Sequence, residues 1–256
     1  MRRKEPHVKI SSGYFRFLSK SLSVRAGLHR SMRKFSLIFF LVSSVSPGCS
    51  QLHFGIAGGV NLGSINTKWT STENPDINPR FGYSLGLGTE IGVATRWAIL
   101  ADLNLVSKNY SIDPDSYGDE TKGFDRYNIL YLDLPIRVSY MYKNVRFFAG
   151  PFIDYCLTGT NKFNLQYADS TIDAGSYKII SGREFNIGEI AYDEIPINYL
   201  DGGFLFGIGY RCEQYCLDLS YSWGLVNMYP NIIGGPERNE MVTRSRLLTL
   251  NLFFYL

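Results

Sequence analysis

The sequence predicts an all-β fold, namely an eight-stranded antiparallel up-and-down transmembrane β-barrel that occupies residues 51–256. Three observations predict it. Apolar residues alternate with small or charged ones from Leu52 onward, with the period of two that is typical of a strand. The connections between the alternating segments are long and short in strict turn. Although 45% of the 256 residues are hydrophobic, no run of about 18 apolar residues could make a spanning helix.

The segment 81–95 shows the alternation most clearly. Its odd positions run from Phe81 to Val93 and are apolar except for Thr89, whereas its even positions carry Gly, Ser, Ala and Glu90. Since successive side chains of a strand point to opposite faces, one face is apolar and the other is small or charged. Seven further segments show the same split, so we predict eight strands. They lie at 52–65, 81–95, 97–110, 128–142, 145–158, 199–212, 215–226 and 243–256.

The predicted strands are joined alternately by long and short connections. The long ones contain about 15, 17, 40 and 16 residues, and the short ones are tight turns. An up-and-down meander places all tight turns at one rim and all long loops at the other, as outer-membrane barrels do with their periplasmic and extracellular rims. We therefore expect the protein in the cell outer membrane. The tight turns lie at Arg96, Lys143–Asn144 and Glu213–Gln214.

A soluble lipocalin-like barrel is the competing interpretation, because it too has eight antiparallel strands and a secretion signal. Such a barrel needs apolar side chains inside, to line a ligand cavity, and polar ones outside. Here the broad apolar face carries Phe, Tyr, Leu and Ile, and the opposite face carries Gly, Ser and charge. A charged side chain facing hydrocarbon would cost several kcal/mol. The charged face is therefore predicted to line the lumen.

Residues 1–50 are predicted to be an N-terminal extension and a signal peptide. Met32 opens a short basic region, residues 35–45 are apolar but too few to span a bilayer, and residues 46–50 supply the small side chains that a signal peptidase requires. A lipobox at Cys49 is the second-ranked alternative. The residues ahead of Met32 show no clear periodicity, and we interpret them as an over-extended start.

The charge distribution argues against a nucleic-acid partner. The chain has a net charge of +3, but residues 1–50 contain ten Lys and Arg and one acid. Residues 51–256 therefore carry 16 basic and 22 acidic side chains, a net charge near −6. Because the positive surplus lies in the segment predicted to be removed, binding to nucleic-acid phosphates is not expected.

Five short segments resemble a known family by their order and spacing. They are 54–62 (FGIAGGVNL), 131–135 (YLDLP), 148–152 (FAGPF), 207–210 (GIGY) and 217–225 (LDLSYSWGL). Together they resemble the PorT-like outer-membrane β-barrel proteins of Gram-negative bacteria, over about residues 51–256. The resemblance implies the barrel fold and the outer membrane. Since one member of that family is implicated in type IX secretion, it also implies secretion-system proteins as candidate partners.

The predicted lumen carries ten ionic side chains. Counting from the tight turns places six of them in the lower half, three of each sign. Because a narrow eight-stranded barrel is filled by side chains rather than water, we expect them to form ion pairs that act as a structural plug. Paired carboxylates can also serve acid–base chemistry, so a proton or solute path is the alternative. The lower six are Glu90, Asp102, Arg137, Arg146, Arg211 and Asp218, and the other four are Lys108, Asp133, Asp154 and Asp201.

Catalysis is not expected. Enzymatic outer-membrane barrels generally use a His with Ser or acidic partners near the outer rim. This chain has three His, of which His7 and His29 precede the barrel and His53 begins the first strand at the tight-turn rim. Nucleotide-binding loops, metal-ligand clusters and nucleophile motifs are not found in the sequence. We therefore expect no catalytic residue, no metal and no cofactor.

The cysteines allow one candidate disulfide. Cys212 and Cys216 flank the third tight turn. A turn of three residues would bring them close enough to bond, whereas a turn of two residues would direct their side chains apart. Two free thiols are the alternative. Cys156 is expected to be a small residue that faces the lumen.

The sequence as a whole predicts a non-enzymatic integral outer-membrane barrel with a side-chain-filled lumen, acting as an envelope scaffold or a surface-binding protein. An accessory role in protein secretion is the alternative. The expected partners are outer-membrane lipids, the outer-membrane assembly machinery and secretion-system proteins. The third long loop, at 159–198, is the best binding candidate because aromatic and acidic residues mix there. It is expected to form a partly ordered β extension or a mobile loop.

Overall fold

The computed structural model describes residues 52–69, 75–117, 121–167, 171–233 and 241–256. These residues form twelve strands and two short 3-10 helices, at Pro114–Tyr117 and Ile187–Glu189. No helix in these ranges is long and apolar enough to cross a membrane. The strands are β1 (Leu52–Trp69), β2 (Ile77–Ala94), β3 (Trp97–Ile112), β4 (Lys122–Tyr142), β5 (Val145–Gln166), β6 (Ile172–Gly182), β7 (Glu184–Asn186), β8 (Glu194–Asn198), β9 (Leu200–Cys212), β10 (Tyr215–Gly224), β11 (Asn231–Ile233) and β12 (Met241–Tyr255).

Eight of these strands close into a ring, which confirms the predicted fold class. The order around the ring is β1-β2-β3-β4-β5-β9-β10-β12, and every neighbouring pair is antiparallel. The first and last strands pair from Gly55↔Tyr255 to Trp69↔Met241. Closure leaves none of the eight strands as a free sheet edge, as a barrel in lipid requires.

The three tight turns have two residues each and lie where they were predicted. Lys143 and Glu213, the first residues of the second and third turns, have φ of 53° and 51°. Such left-handed backbone matches the twist of two-residue hairpins, and non-glycine residues adopt it at some cost. These turns define the short-turn rim of the barrel, and the opposite end is the long-loop rim.

The strands extend further toward the long-loop rim than predicted. β5 has 22 residues and ends at Gln166, whereas the alternation of apolar and polar residues predicted an end at residue 158. Beyond that point the outward side chains become polar, as at Thr160 and Lys162. The backbone pairing continues because β4 and β6 flank this part of the strand.

The third long loop forms a β extension of the barrel wall. β6 pairs antiparallel with the outer half of β5, and β8 pairs parallel with β6. A second small sheet joins the third and fourth loops, where β7 and β11 pair in parallel. The Asn231 side chain donates a hydrogen bond of 2.9 Å to Glu184 across this ribbon. The two loops are therefore tied together.

The faces of the ring strands agree with a barrel in lipid and not with a lipocalin. On β5, Phe147, Ile153 and Tyr155 are 46–57% exposed, while the alternating Arg146 and Asp154 are 1% exposed. The same contrast holds along the other ring strands. Apolar side chains thus face outward, and charged ones face the interior.

Candidate functional site

The barrel interior brings the ten predicted ionic side chains together. Nine of them are less than 10% exposed, and the side chain of Arg211, near the short-turn rim, is 23% exposed. They fall into two groups at different heights. We call Glu90, Asp102, Arg137, Arg146, Arg211 and Asp218 the lower network, and Lys108, Asp133, Asp154 and Asp201 the upper network.

The lower network is a continuous chain of ion pairs with three charges of each sign. Arg211 Nη1 lies 2.7 Å from Glu90 Oε1, and Arg146 Nη1 lies 3.4 Å from Glu90 Oε2. Arg146 also forms a two-point contact with Asp218, whose Nε–Oδ1 distance is 2.9 Å. Such fork-to-carboxylate pairing is the strongest kind of side-chain hydrogen bond.

Arg137 completes the lower network. Its guanidinium pairs directly with Asp102 and lies 3.7 Å from Asp218. Tyr255 joins at the other end, where it accepts a hydrogen bond of 2.6 Å from Arg146 and donates one of 2.8 Å to Glu90. Every carboxylate of this group therefore has a cation within 4 Å.

A small residue makes room for these pairs. Gly209 faces the interior on β9, and a Cβ at this position would meet the Asp218 carboxylate and would lie 2.9 Å from Arg146 Cγ. Even alanine would force the Arg146–Asp218 pair to shift. The glycines on the polar face of the strands are thus part of the lumen packing.

The upper network has one cation for three carboxylates. Lys108 Nζ lies 2.5 Å from Asp154 and 2.8 Å from Asp201. Neutral groups supply further donors, because Ser245 donates a hydrogen bond to Asp201 and Asn104 Nδ2 donates one of 3.0 Å to Asp133. Ser245, Asn104 and Tyr255 were not predicted, although each lies at an inward position of its strand.

Aromatic rings fill the space between the cations. The Arg137 guanidinium lies 4.9 Å from the centroid of Phe148, and Lys108 Nζ lies 4.9 Å from Tyr131 and 5.2 Å from Phe152. These distances are typical of cation–π contacts. The prediction that the inward face is only small or charged is therefore too narrow. The sequence allowed this to be predicted, because Phe148 and Phe152 lie an even number of positions from Arg146 and therefore on the same face of the strand.

Little free volume remains between the two networks. The cavity there measures about 30 Å³ and is lined by side chains of both groups, among them Lys108, Asp133 and Arg137. That volume holds one or two water molecules. No column of water of the kind found in porins fits at this level.

A hydrophobic cluster closes the interior above the upper network, and we call it the apolar cap. Its side chains come from the outer parts of the barrel strands and from the loops. The backbone of the fourth loop is held to it, since Asn198 N donates to Met228 O at 2.7 Å and Met228 N donates to Thr243 O at 2.8 Å. The buried members of the cap are Ile65, Tyr110, Ile129, Tyr131, Cys156, Ile179, Ile197 and Met228.

The short-turn rim is open by contrast. A basin of about 310 Å³ lies there, with His53, Glu90 and Arg211 among its lining residues. The His53 ring makes an edge contact with Tyr255 at 6.1 Å. Among the residues that the structure describes, no group of three or more His, Cys, Asp or Glu is arranged to hold a metal ion.

The candidate disulfide between Cys212 and Cys216 is wrong. The turn has two residues, with Cys212 opposite Tyr215 and Cys216 opposite Arg211. Side chains four positions apart across such a turn point to opposite faces, so Cys212 is exposed, Cys216 is buried, and both thiols are free. Cys156 is a free, buried thiol in the apolar cap. The signal peptide, the start at Met32 and the lipobox at Cys49 lie outside the described residues.

Comparison with known proteins agrees with this architecture. The family described as outer membrane protein beta-barrel domain matches residues 21–229. No curated protein matches the chain in sequence.

Three solved structures of outer-membrane proteins are similar to the chain in structure. The Ail protein of Yersinia pestis is 9% identical, with 80% of this chain and 98% of that chain covered and a TM-score of 0.36. OprG of Pseudomonas aeruginosa is 11% identical, with coverages of 82% and 98% and a TM-score of 0.38. Neisserial surface protein A is 10% identical, with coverages of 78% and 96% and a TM-score of 0.36. At these scores the likenesses say nothing about activity.

Proposed function

Since the chain belongs to the outer membrane protein beta-barrel domain family and the protein resides in the outer membrane, we propose that it is a non-enzymatic surface protein. In this proposal the interior is a structural plug, and the joined extracellular loops form the binding region. The basis is the filling of the interior at three heights, by the lower network, the upper network and the apolar cap.

Each height excludes water for a different reason. The lower network is packed with Arg side chains and aromatic rings, the space between the networks measures about 30 Å³, and the cap is apolar. A permanent channel would require all three to open. The charged lumen residues then serve the stability of the barrel, because an unpaired ion buried among side chains costs several kcal/mol.

The loops are the part of the protein that is free to contact partners. β6, β7, β8 and β11 tie the third and fourth loops together above the barrel. The two loops carry apolar side chains that are more than half exposed, namely Ile172, Ile187, Tyr192 and Ile233. Exposed Tyr and Ile on an ordered framework suit contact with another macromolecule better than with a small solute.

Planar bilayer recordings test the proposal. The purified protein is expected to give no steady porin-like current. A variant in which residues 168–197 are replaced by a short Gly-Ser linker loses Ile179 and Ile197 from the cap but keeps both networks, and it is also expected to remain closed. Stable conductance steps of the unaltered protein would overturn the structural plug.

Two more specific proposals are that the chain is PorT-like and that it has a role in protein secretion. No contact among the described residues favours secretion over a surface role. A deletion strain should therefore release its usual set of secreted proteins, and loss of those proteins would favour the secretion role. Contact with the assembly machinery is proposed for β12, whose outward Leu248, Leu250 and Leu252 resemble the apolar face of a terminal insertion signal.

A further inference from the structure

Charge is sorted between the two faces of the barrel wall. All seven acidic side chains of the eight ring strands are buried inside, in the ranges that the structure describes. On the same strands and in the same ranges, the ionic side chains that face outward near the long-loop rim are all cations. The acids are Glu90, Asp102, Asp125, Asp133, Asp154, Asp201 and Asp218, and the outward cations are Lys68, Arg80, Lys122, Arg126, Lys162, Arg244 and Arg246.

Three of these cations, Arg80 on β2, Arg126 on β4 and Lys162 on β5, lie close together, and we call them the rim cluster. Arg126 on β4 lies directly opposite Lys162 on β5. Arg80 on β2 reaches over β3 and donates a hydrogen bond of 3.3 Å to Asn128, which is the next outward residue to Arg126. Like charges directly opposite each other in a sheet destabilise it. The pairing of Arg126 with Lys162 therefore does not stabilise the barrel by itself.

The rim cluster has no acidic partner within the ranges that the structure describes. Among the described residues, none of its three cations is within 4 Å of a carboxylate. Arg126 instead lies over the ring of Phe124 at 4.3 Å, which holds the guanidinium against the barrel wall. The neighbouring Arg246 differs, because it donates to the carbonyls of Gly224 and Ser245 and is already engaged.

The height of the cluster identifies its environment. Below it, the outward residues of β5 from Phe147 to Leu157 are apolar or small. Ten residues of a strand tilted by roughly 40° rise by about 25 Å, which is the height of the apolar band of an outer-membrane barrel. Lys162 lies five residues beyond Leu157, and Arg126 is opposite it, so by the same rise both begin about 13 Å above the band, on the side of the outer-leaflet headgroups. Their long side chains can extend along the wall to that level.

We propose that Arg80, Arg126 and Lys162 bind the phosphate groups of lipid A in the outer leaflet. A guanidinium offers paired donors that match a phosphate, and the Lys ammonium adds a compact charge. A bound phosphate replaces the repulsion between Arg126 and Lys162 by two attractive contacts. The outer loops would thus be held at a defined height above the membrane by a glycolipid.

The test uses the full-length protein purified from outer membranes in detergent, with bisphosphorylated lipid A as the probe. Affinity is measured by native mass spectrometry for the unaltered protein and for the double variant Arg126→Gln/Lys162→Gln. The loss of two phosphate contacts is expected to weaken binding about thirtyfold. The matched control, Arg96→Gln/Lys143→Gln, removes two cations at the short-turn rim and should bind as the unaltered protein does.

Three further arms distinguish the phosphates of lipid A from its acyl chains and from a free anion. Dephosphorylated lipid A should bind the unaltered protein and the double variant equally weakly. Inorganic phosphate at millimolar concentration should not compete, and competition would indicate a free-anion site and overturn the proposal. Arg126→Lys keeps the charge but not the paired donors, so its affinity for bisphosphorylated lipid A should lie between those of the unaltered protein and the double variant. Equal affinity of the unaltered protein and the double variant would also overturn the proposal.

Discussion

The lower and upper networks lie in the same barrel and are buried to a similar extent, yet they satisfy their charges differently. The lower network pairs three acids with three Arg side chains, and each carboxylate has a guanidinium. In the upper network Lys108 pairs with Asp154 and Asp201, and the neutral donors Ser245 and Asn104 bind Asp201 and Asp133. The difference shows that buried carboxylates can be held either by matched charges or by one cation together with neutral donors, although Arg137 Nε and Asp154 Oδ1 have no hydrogen-bond partner in the part of the chain that the structure describes.

This difference has a consequence for the stability of each network. In the lower network, removal of one Arg leaves at least one other Arg close to most of the carboxylates. In the upper network, removal of Lys108 leaves Asp154 and Asp201 without a cation, and no other cation lies within 4 Å of them among the described residues. We therefore expect the upper network to be more sensitive to a single substitution.

The largest effect is expected from Lys108→Met. It leaves Asp154 and Asp201 buried without their cation, which should destabilise the barrel by roughly 3–5 kcal/mol. The midpoint of urea unfolding, followed by heat modifiability on gels, measures the loss. The triple variant Lys108→Met/Asp154→Asn/Asp201→Asn should regain most of the stability. Failure of this rescue would mean that Lys108 acts mainly through packing against Tyr131 and Phe152.

Arg137→Ala should have the next largest effect. It leaves Asp102 unpaired, while Asp218 keeps Arg146, so a destabilisation of about 3 kcal/mol is expected. The same unfolding assay applies, with Arg137→Lys as the control that retains the charge. An unchanged midpoint would show that the lumen is hydrated enough to solvate Asp102.

Ile179→Ala tests the cap independently of charge. Ile179 is 3% exposed and belongs to β6, so its truncation should leave a cavity and cost about 2 kcal/mol. Ile172→Ala is the matched control, because Ile172 is on the same strand but 66% exposed. If both variants unfold alike, β6 does not contribute to closing the barrel.

The smallest effect is expected from Arg211→Ala. The Arg211 side chain is 23% exposed at the open rim, and Glu90 retains Arg146 and Tyr255 as partners. A loss of about 1 kcal/mol or less should follow, since water can replace the missing guanidinium. A loss as large as that of Arg137→Ala would contradict the distinction between the buried and the open ends of the lower network.

The sequence by itself determined the eight strands, their alternating faces, the three tight turns and ten ionic side chains of the interior, but the prediction missed the buried Asp125. These features were readable because they are local. The period of two assigns each side chain to a face from its immediate neighbours, and a two-residue turn is marked by the point where the alternation reverses. The predicted outer ends were too short, because alternation in polarity stops at Leu157 although pairing continues to Gln166.

Only the tertiary structure decided which charges meet, how the cap closes the barrel and which way Cys212 and Cys216 point. Arg146 pairs with Glu90, which is 56 positions away, and Lys108 lies 3.5 Å from Ser245, which is 137 positions away. Such contacts depend on the stagger of the strands around the ring, because a shift of two residues between neighbours keeps every face but changes every partner. The sequence pattern is unchanged by that shift, so it determines the composition of the interior, and the closed barrel determines the pairing.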